Sequence, residues 1–294
     1  MFSGSIVALV TPLTNEGGID LAAWDALLDW HIEAGTRGVV VAGTTGESVT
    51  LTASEADQLI ERAVTKCAGR MTVLAGTGGP STAGAIERTR RAADLEADAV
   101  LVVTPAYNRP SQRGLEAHFT AVADASTVPV VLYNVPGRTA VDLEPDTSIR
   151  LARHPRIVAI KEAVADSERV RRLAEGGLVV LSGDDPSCCE SMLVGASGVV
   201  SVAANVVPHH IARLCGLAEA GDAETARSLN DSLRDLYRFL SIEANPVPVK
   251  WMVHRLGRCL PALRLPLVAL DRSHEALGEQ VVEQLSLDAA SDVA

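Results

Sequence analysis

The chain has 294 residues, 47% of them hydrophobic, enough to bury a large core in a single domain. Aromatics are only 3%, so valine, leucine, isoleucine and alanine must fill that core, which suits parallel strands and alanine-rich helices better than an aromatic-rich sandwich. The net charge of −11 provides no electrostatic footprint for a nucleic-acid backbone, although a local arginine or a set of backbone N–H groups can still hold a small anion.

Short apolar runs alternate with longer helical patterns. Residues 6–10 read as a first strand, ended by Thr11-Pro12, and Asp20 as the N-cap of a helix reaching to residue 33. Residues 38–42 form the second strand. Ser54, with Asp57 three residues on, reads as a capping box that opens a helix to residue 66. Strand 71–75 follows, then a helix opened by Ser81 and ending near residue 95. Next come strand 99–103, helix 112–125, strand 130–134, helix 144–153, strand 157–161 and a short helix from Ser167. Strand 178–182 precedes helix 186–194, and strand 198–202 precedes a helix from Pro208.

These eight strand–helix units recur at the spacing of a βα unit. Their strands are near-continuous apolar runs, the mark of burial on both faces. The fold class is therefore α/β, a closed (β/α)8 TIM barrel over residues 1–221, with an open doubly wound sheet as the alternative. Residues 222–294 change character. Segments 222–240, 246–256 and 273–285 read as helices with no strand between them, a C-terminal helical extension, and 288–294 as a frayed tail.

No basic region precedes the first apolar run, so no signal peptide is expected. Residues 191–212 carry no formal charge, a length that would span a bilayer. Asn205, Pro208, His209 and His210 within it favour a helix–turn–strand–turn instead. The five cysteines, Cys67, Cys188, Cys189, Cys215 and Cys259, form no C-x-x-C pair and read as idle thiols of a cytoplasmic protein. The seven histidines are scattered without metal-ligand spacing. Asp184-Asp185 alone is weak evidence for a cation, and no G-x-G-x-x-G follows a strand. No metal or nicotinamide cofactor is expected.

In such a barrel the reacting groups sit at the carboxyl ends of the strands. Lys161 ends the run Ile157-Val158-Ala159-Ile160, which places its stem in the core and its nitrogen at the mouth. Desolvation favours the neutral amine, and a neutral amine attacks a carbonyl to form an imine. A salt bridge to Glu162 or a general-base role fits the same position. Gly43-Thr44-Thr45-Gly46 offers backbone N–H groups and two hydroxyls to a small carboxylate, or is a tight turn that serves packing. Tyr133 and Tyr107 fall at strand ends, where a tyrosine relays protons or simply packs. Arg138 follows Pro136-Gly137 and either grips a carboxylate bidentately or lies on the surface.

Together these segments resemble the dihydrodipicolinate synthase family, within the superfamily of pyruvate aldolases and N-acetylneuraminate lyases. The resemblance rests on Gly43-Thr44-Thr45-Gly46-Glu47-Ser48, Thr104-Pro105 with Tyr107-Asn108-Arg109-Pro110, Tyr133-Asn134-Val135-Pro136-Gly137-Arg138-Thr139 and Ile160-Lys161-Glu162. Ser182-Gly183-Asp184-Asp185, Gly198-Val199-Val200-Ser201-Val202 and Asn245-Pro246-Val247-Pro248-Val249-Lys250 extend it, so that it runs from Ser3 to at least Leu270. It implies a Schiff base between Lys161 and pyruvate, with no further cofactor and with L-aspartate semialdehyde as acceptor. Thr44 and Thr45 would hold the pyruvate carboxylate. Tyr133 would shuttle protons, linked through Thr44 to a Tyr107 supplied by a neighbouring subunit of a homotetramer. Arg138 would bind the acceptor's carboxylate, and Gly183 and Val200 would line the pyruvate pocket. Thr45 and Arg138 favour the synthase over sialic-acid or sugar-acid aldolases, which remain alternatives, as does a non-catalytic barrel that binds a keto acid. Members inhibited by lysine carry a tyrosine, histidine, asparagine and glutamate at positions that here hold Ala106, Ala53, Ala56, Pro80 and Gly84, with only Ser48 retained. The resemblance therefore implies a protein insensitive to free lysine.

Overall fold

Each of eight short apolar segments pairs with the next in parallel, and the eighth pairs with the first. The structure, a computed structural model, describes residues 2–286. The strands are β1 (Gly4–Ala8), β2 (Gly38–Val41), β3 (Thr72–Gly76), β4 (Ala99–Val103), β5 (Val130–Asn134), β6 (Ile157–Glu162), β7 (Val179–Ser182) and β8 (Gly198–Ser201). The closed parallel barrel excludes the open sheet. Helices α1 (Leu21–Glu33), α2 (Ala53–Cys67), α3 (Thr82–Asp94), α4 (Gln112–Ala125), α5 (Pro136–Thr139), α6 (Pro145–Leu151), α7 (Ser167–Glu175), α8 (Cys188–Leu193) and α9 (Pro208–Glu219) connect and surround the strands. After them come α10 (Ala223–Ser232), α11 (Arg234–Leu240), α12 (Val247–Arg255) and α13 (Arg272–Gln284). The expected tail at 288–294 lies outside the described residues.

Because side chains alternate along a strand, the barrel has two apolar layers. Ile6, Ala8, Val40, Leu74, Leu101, Val131, Ala159, Leu181 and Val200 fill the interior. Val7, Val39, Val73, Val100, Leu132, Ile160, Val180 and Val199 face outward and pack under the helices. Closure depends on a close approach at one seam. A Cβ on Gly198 would stand 2.3 Å from the carbonyl oxygen of Gly4, so β8 can meet β1 only with no side chain there. That pairing begins at Gly4, two residues before the apolar run starts, which is why β1 begins earlier than its hydrophobic pattern.

Local chemistry sets the helix ends. Asp20, Ser81 and Asp166 cap α1, α3 and α7 through side-chain oxygens that accept backbone N–H bonds. The cap of α2 differs from expectation. Its box is Thr52 with Glu55, not Ser54 with Asp57: the Glu55 N–H donates to Thr52 Oγ1, and the Thr52 N–H donates to Glu55 Oε2 at 2.8 Å. Thr52 is still extended (φ −71°, ψ 161°), as a cap must be, whereas Ser54 already lies within the helix. Segment 222–240 breaks at Leu233, the C-cap of α10 and the N-cap of α11. The break re-aims the chain: α10 buries only Ala226, whereas α11 buries Leu236, Tyr237, Phe239 and Leu240.

Residues 191–212 are divided among the end of α8, β8, a short 3-10 turn at Ala203–Asn205 and the start of α9. Among the described residues no helix is long and apolar enough to cross a membrane. All five cysteines are buried and free. Burial pushes the Cys67 and Cys259 thiols up to about 11 and Cys215 to about 12, so none is a ready thiolate.

His31 on α1 is fully buried, its Nδ1 3.0 Å from the Thr36 hydroxyl. Burial, and then the nearby charge of Arg258, holds its pKa down to about 3. A folded pKa below the unfolded one means that the unfolded chain binds the proton more readily. Stability supplied by neutral His31 is therefore present above 6.5 and is lost as pH falls from there towards 3. The expected loss is about 1.4 kcal/mol per pH unit over that window. Urea unfolding across the window should show a shallower acid decline for His31→Gln than for the parent, and equal slopes would refute the assignment.

Candidate active site

The carboxyl ends of the strands open into a cavity of about 300 Å³. Thr44, Thr45, Tyr133, Arg138, Lys161 and Gly183 all line it, so six of the residues singled out by the sequence meet at one place. Lys161 is 6% exposed. It sits beside Tyr133 in the β5–β6 register, and its Nζ lies 4.3 Å from the centre of that ring. None of the ion pairs among the described residues involves Lys161.

The salt bridge between Lys161 and Glu162 is thereby excluded. Successive residues of a strand face opposite sides, so Glu162 points out of the barrel while Lys161 points into its mouth. Glu162 is 2% exposed and fully engaged there. It accepts from Arg169 Nε at 2.8 Å, from Asn134 Nδ2 at 3.0 Å and from the Val164 N–H at 2.9 Å. Arg169 also holds Asp142 through two bonds of 2.9 and 2.8 Å. Burial pushes the Glu162 carboxyl above its usual range, and the Arg169 charge opposes that shift.

Gly183 makes room for the lysine. A Cβ at that position would lie 3.0 Å from Lys161 Cε and 3.1 Å from both Lys161 Cγ and Ala163 Cβ. Beyond it, the paired acids serve the backbone rather than an ion. Asp184 Oδ2 accepts the Ser187 N–H at 3.1 Å, and Asp185 Oδ2 accepts the N–H groups of Val202 and Ala203 at 2.9 Å each. Burial raises the Asp185 carboxyl, and these hydrogen bonds oppose the rise.

The loop after β2 is tightly folded. Glu47 N–H donates to the Thr44 carbonyl at 3.1 Å, Ser48 N–H to the Gly43 carbonyl at 3.2 Å, and the Thr11 hydroxyl to the Gly46 carbonyl at 2.8 Å. Arg138 is carried by α5, which Pro136 starts, and its Nη2 donates to the Asn245 carbonyl at 3.3 Å. Val200 stands apart from the cavity wall: it is packed in the barrel interior, and Val202, two residues on, lines the cavity. Tyr107 also lies outside this cavity. It is 95% exposed with φ +73°, an unusual conformation for a side chain of that size. The loop is held by Asn108 Nδ2 donating to the Pro80 carbonyl at 2.9 Å and Arg109 Nε donating to the Ala140 carbonyl at 3.2 Å.

Sequence reasoning assigned no site residue to the chain beyond the barrel, yet Tyr237, Leu240, Ser241 and Asn245 form one wall of the cavity. Asn245 Nδ2 donates to Thr45 Oγ1 at 3.0 Å across 200 residues of sequence. The Asn245–Lys250 segment carried part of the resemblance, but nothing local to it reveals what it touches.

Residues 1–285 match the model of the dihydrodipicolinate synthetase family. A 4-hydroxy-tetrahydrodipicolinate synthase of Stutzerimonas stutzeri is 47% identical over 97% of this chain and 98% of its own length. The dihydrodipicolinate synthase of Acinetobacter baumannii, a chloride-inhibited enzyme solved with pyruvate, superimposes with a TM-score of 0.96 at 43% identity, covering 98% of this chain and all (100%) of that one. The enzyme of Cyanidioschyzon merolae, solved with lysine bound, gives a TM-score of 0.93 at 38% identity over 97% of this chain and 99% of that one.

The packing of Gly183 against Lys161 has a measurable consequence. Gly183→Ala is expected to fold normally but to displace the amine, lowering kcat/KM for pyruvate about 10- to 100-fold. Steady-state kinetics check this, and an unchanged kcat/KM would show that the lysine does not need the space.

Proposed function

Since this chain belongs to the dihydrodipicolinate synthetase family, we propose that its cavity works through an imine between Lys161 and pyruvate. The protein is a lyase that condenses pyruvate with L-aspartate semialdehyde to give 4-hydroxy-tetrahydrodipicolinate. The single observation that supports the nucleophile is a lysine lining the cavity, 6% exposed, with no carboxylate partner among the described residues. An amine held this way attacks the pyruvate ketone, and loss of water gives the iminium. A methyl proton then leaves to a base, and its electron pair forms the enamine, with the iminium as electron sink. The enamine carbon attacks the aldehyde carbon of the acceptor, whose oxygen takes up a proton. The acceptor's own amine then adds to the imine carbon and expels the Lys161 amine, closing the ring. No further cofactor is needed, because the iminium itself accepts the electron pair.

In this reading Thr44 and Thr45 hold the pyruvate carboxylate, and Arg138 at the rim takes the acceptor's carboxylate. Tyr133, against the lysine, moves protons. Gly183 gives pyruvate its place, and Val200 supports that pocket from the layer beneath. Tyr107 completes the relay in the cavity of a neighbouring subunit, and its full exposure on a strained loop supports such a role. The enzyme is then an oligomer, a homotetramer by the family resemblance. Five buried, unpaired cysteines support a reducing cytoplasm as its location. The relatives named above are synthases rather than sugar-acid lyases, which favours the four-carbon acceptor.

Pyruvate consumption with L-aspartate semialdehyde is expected to be rapid and to fall at least about a thousandfold in Lys161→Ala. Comparable turnover in that variant would contradict the mechanism. Free L-lysine at millimolar concentration is expected to leave the rate unchanged, given Ala53, Ala56, Pro80, Gly84 and Ala106 at the positions described above. A clear inhibition curve in the same assay would overturn that expectation.

A further inference from the structure

The segment Asn245–Lys250, which leads into helix α12, touches the loop after β2 at two places. Asn245, two residues before the helix, donates to Thr45 Oγ1 at 3.0 Å. One turn further on, Lys250 Nζ donates to Glu47 Oε1. The Lys250 N–H bonds to the Pro246 carbonyl at 2.9 Å, which ties the residue next to Asn245 to the helix that carries Lys250. The Lys250 and Glu47 side chains are 0% and 1% exposed, a buried ion pair with no access to water. Glu47 Oε2 is also used: it accepts the Arg264 N–H at 3.1 Å. Glu47 itself is held at φ +57°, a conformation that a glutamate adopts only when its surroundings impose it. A buried ion pair is often no more stabilising than a packed apolar pair. Stability therefore does not explain why a charge pair stands directly behind the substrate loop.

We infer that Glu47 and Lys250 are positioning residues for pyruvate: the pair locks the loop so that Thr44 and Thr45 present their hydroxyls at the distance the carboxylate needs. This rests on the reading that Thr45 holds that carboxylate. A loop secured at both ends binds without further ordering, so its release raises KM for pyruvate and leaves the steps at Lys161 largely intact. In the same reading the second substrate is held by Arg138, which makes no bond to Glu47 or Lys250 among the described residues, and its KM is expected to respond less.

The test uses the full-length enzyme. Lys250→Met or Glu47→Gln alone leaves an uncompensated partner and risks misfolding, so the decisive variant is Glu47→Gln/Lys250→Met, which buries no charge. The expected result is a Tm within a few degrees of the parent, a KM for pyruvate raised at least about tenfold and a kcat within about threefold. A folded double variant with the parent's KM for pyruvate would overturn the inference, because a purely structural pair is replaced without kinetic consequence. Thr45→Val, assayed alongside, reports separately on the underlying reading. A raised KM there together with an unchanged one in the double variant sinks only the positioning role. An unchanged KM in Thr45→Val removes the premise and the inference with it.

Discussion

The two-residue side-chain period of strand β6 governs the site. It sends Lys161 into the mouth of the barrel and Glu162 to the opposite face, so the amine and the carboxylate nearest to it in sequence cannot meet. Glu162 is satisfied outside by Arg169, Asn134 and the Val164 N–H, and Arg169 ties in Asp142. Removing Arg169 would strand a buried carboxylate at a cost of several kcal/mol, about 3–5 in comparable pairs. The network thus keeps negative charge away from the lysine while anchoring the strand that carries it. Tyr133 on β5 and Gly183 just after β7 flank it, one supplying a ring face to the amine and the other the space in which it stands.

Around that centre the barrel supplies the floor and the helices after it supply a wall. Tyr237, Leu240, Ser241 and Asn245 wall one side of the barrel mouth and deepen it into a cavity. Arg264 extends the connection, donating to the carbonyls of Gly17 and Thr50 and pairing with Glu55. The helices beyond the barrel are in this sense part of the cavity, since they line it and bond to the loop that carries Thr44 and Thr45.

Much of this was legible in the sequence because parallel barrel strands are buried on both faces. The runs at 99–103 and 130–134 coincide with β4 and β5, since apolar run and hydrogen-bonded ladder have the same extent there. The run at 6–10 is displaced because Gly4 joins the ladder through its glycine partner on β8, which hydrophobicity does not report. Thr52 and Glu55 carried a capping signal as clear as that of Ser54 and Asp57, and only the backbone decides between them. Lys161, Tyr133, Thr44, Thr45 and Arg138 were readable because strand ends converge in a barrel, and Gly183 through the family resemblance. Val200 sits one layer too deep to be exposed to the cavity, and its neighbour Val202 takes the wall. Asn245 and Lys250 were out of reach for another reason. Their partners Thr45 and Glu47 are some 200 residues away, and no periodicity encodes a contact at that distance.

The central claim is that Lys161 on β6 is the nucleophile. Borohydride reduction in the presence of pyruvate, followed by mass mapping of the digested protein, tests it most directly. The account predicts one reduced three-carbon adduct per chain, carried by the peptide that contains Lys161. An adduct on another lysine, or none at saturating pyruvate, would contradict it.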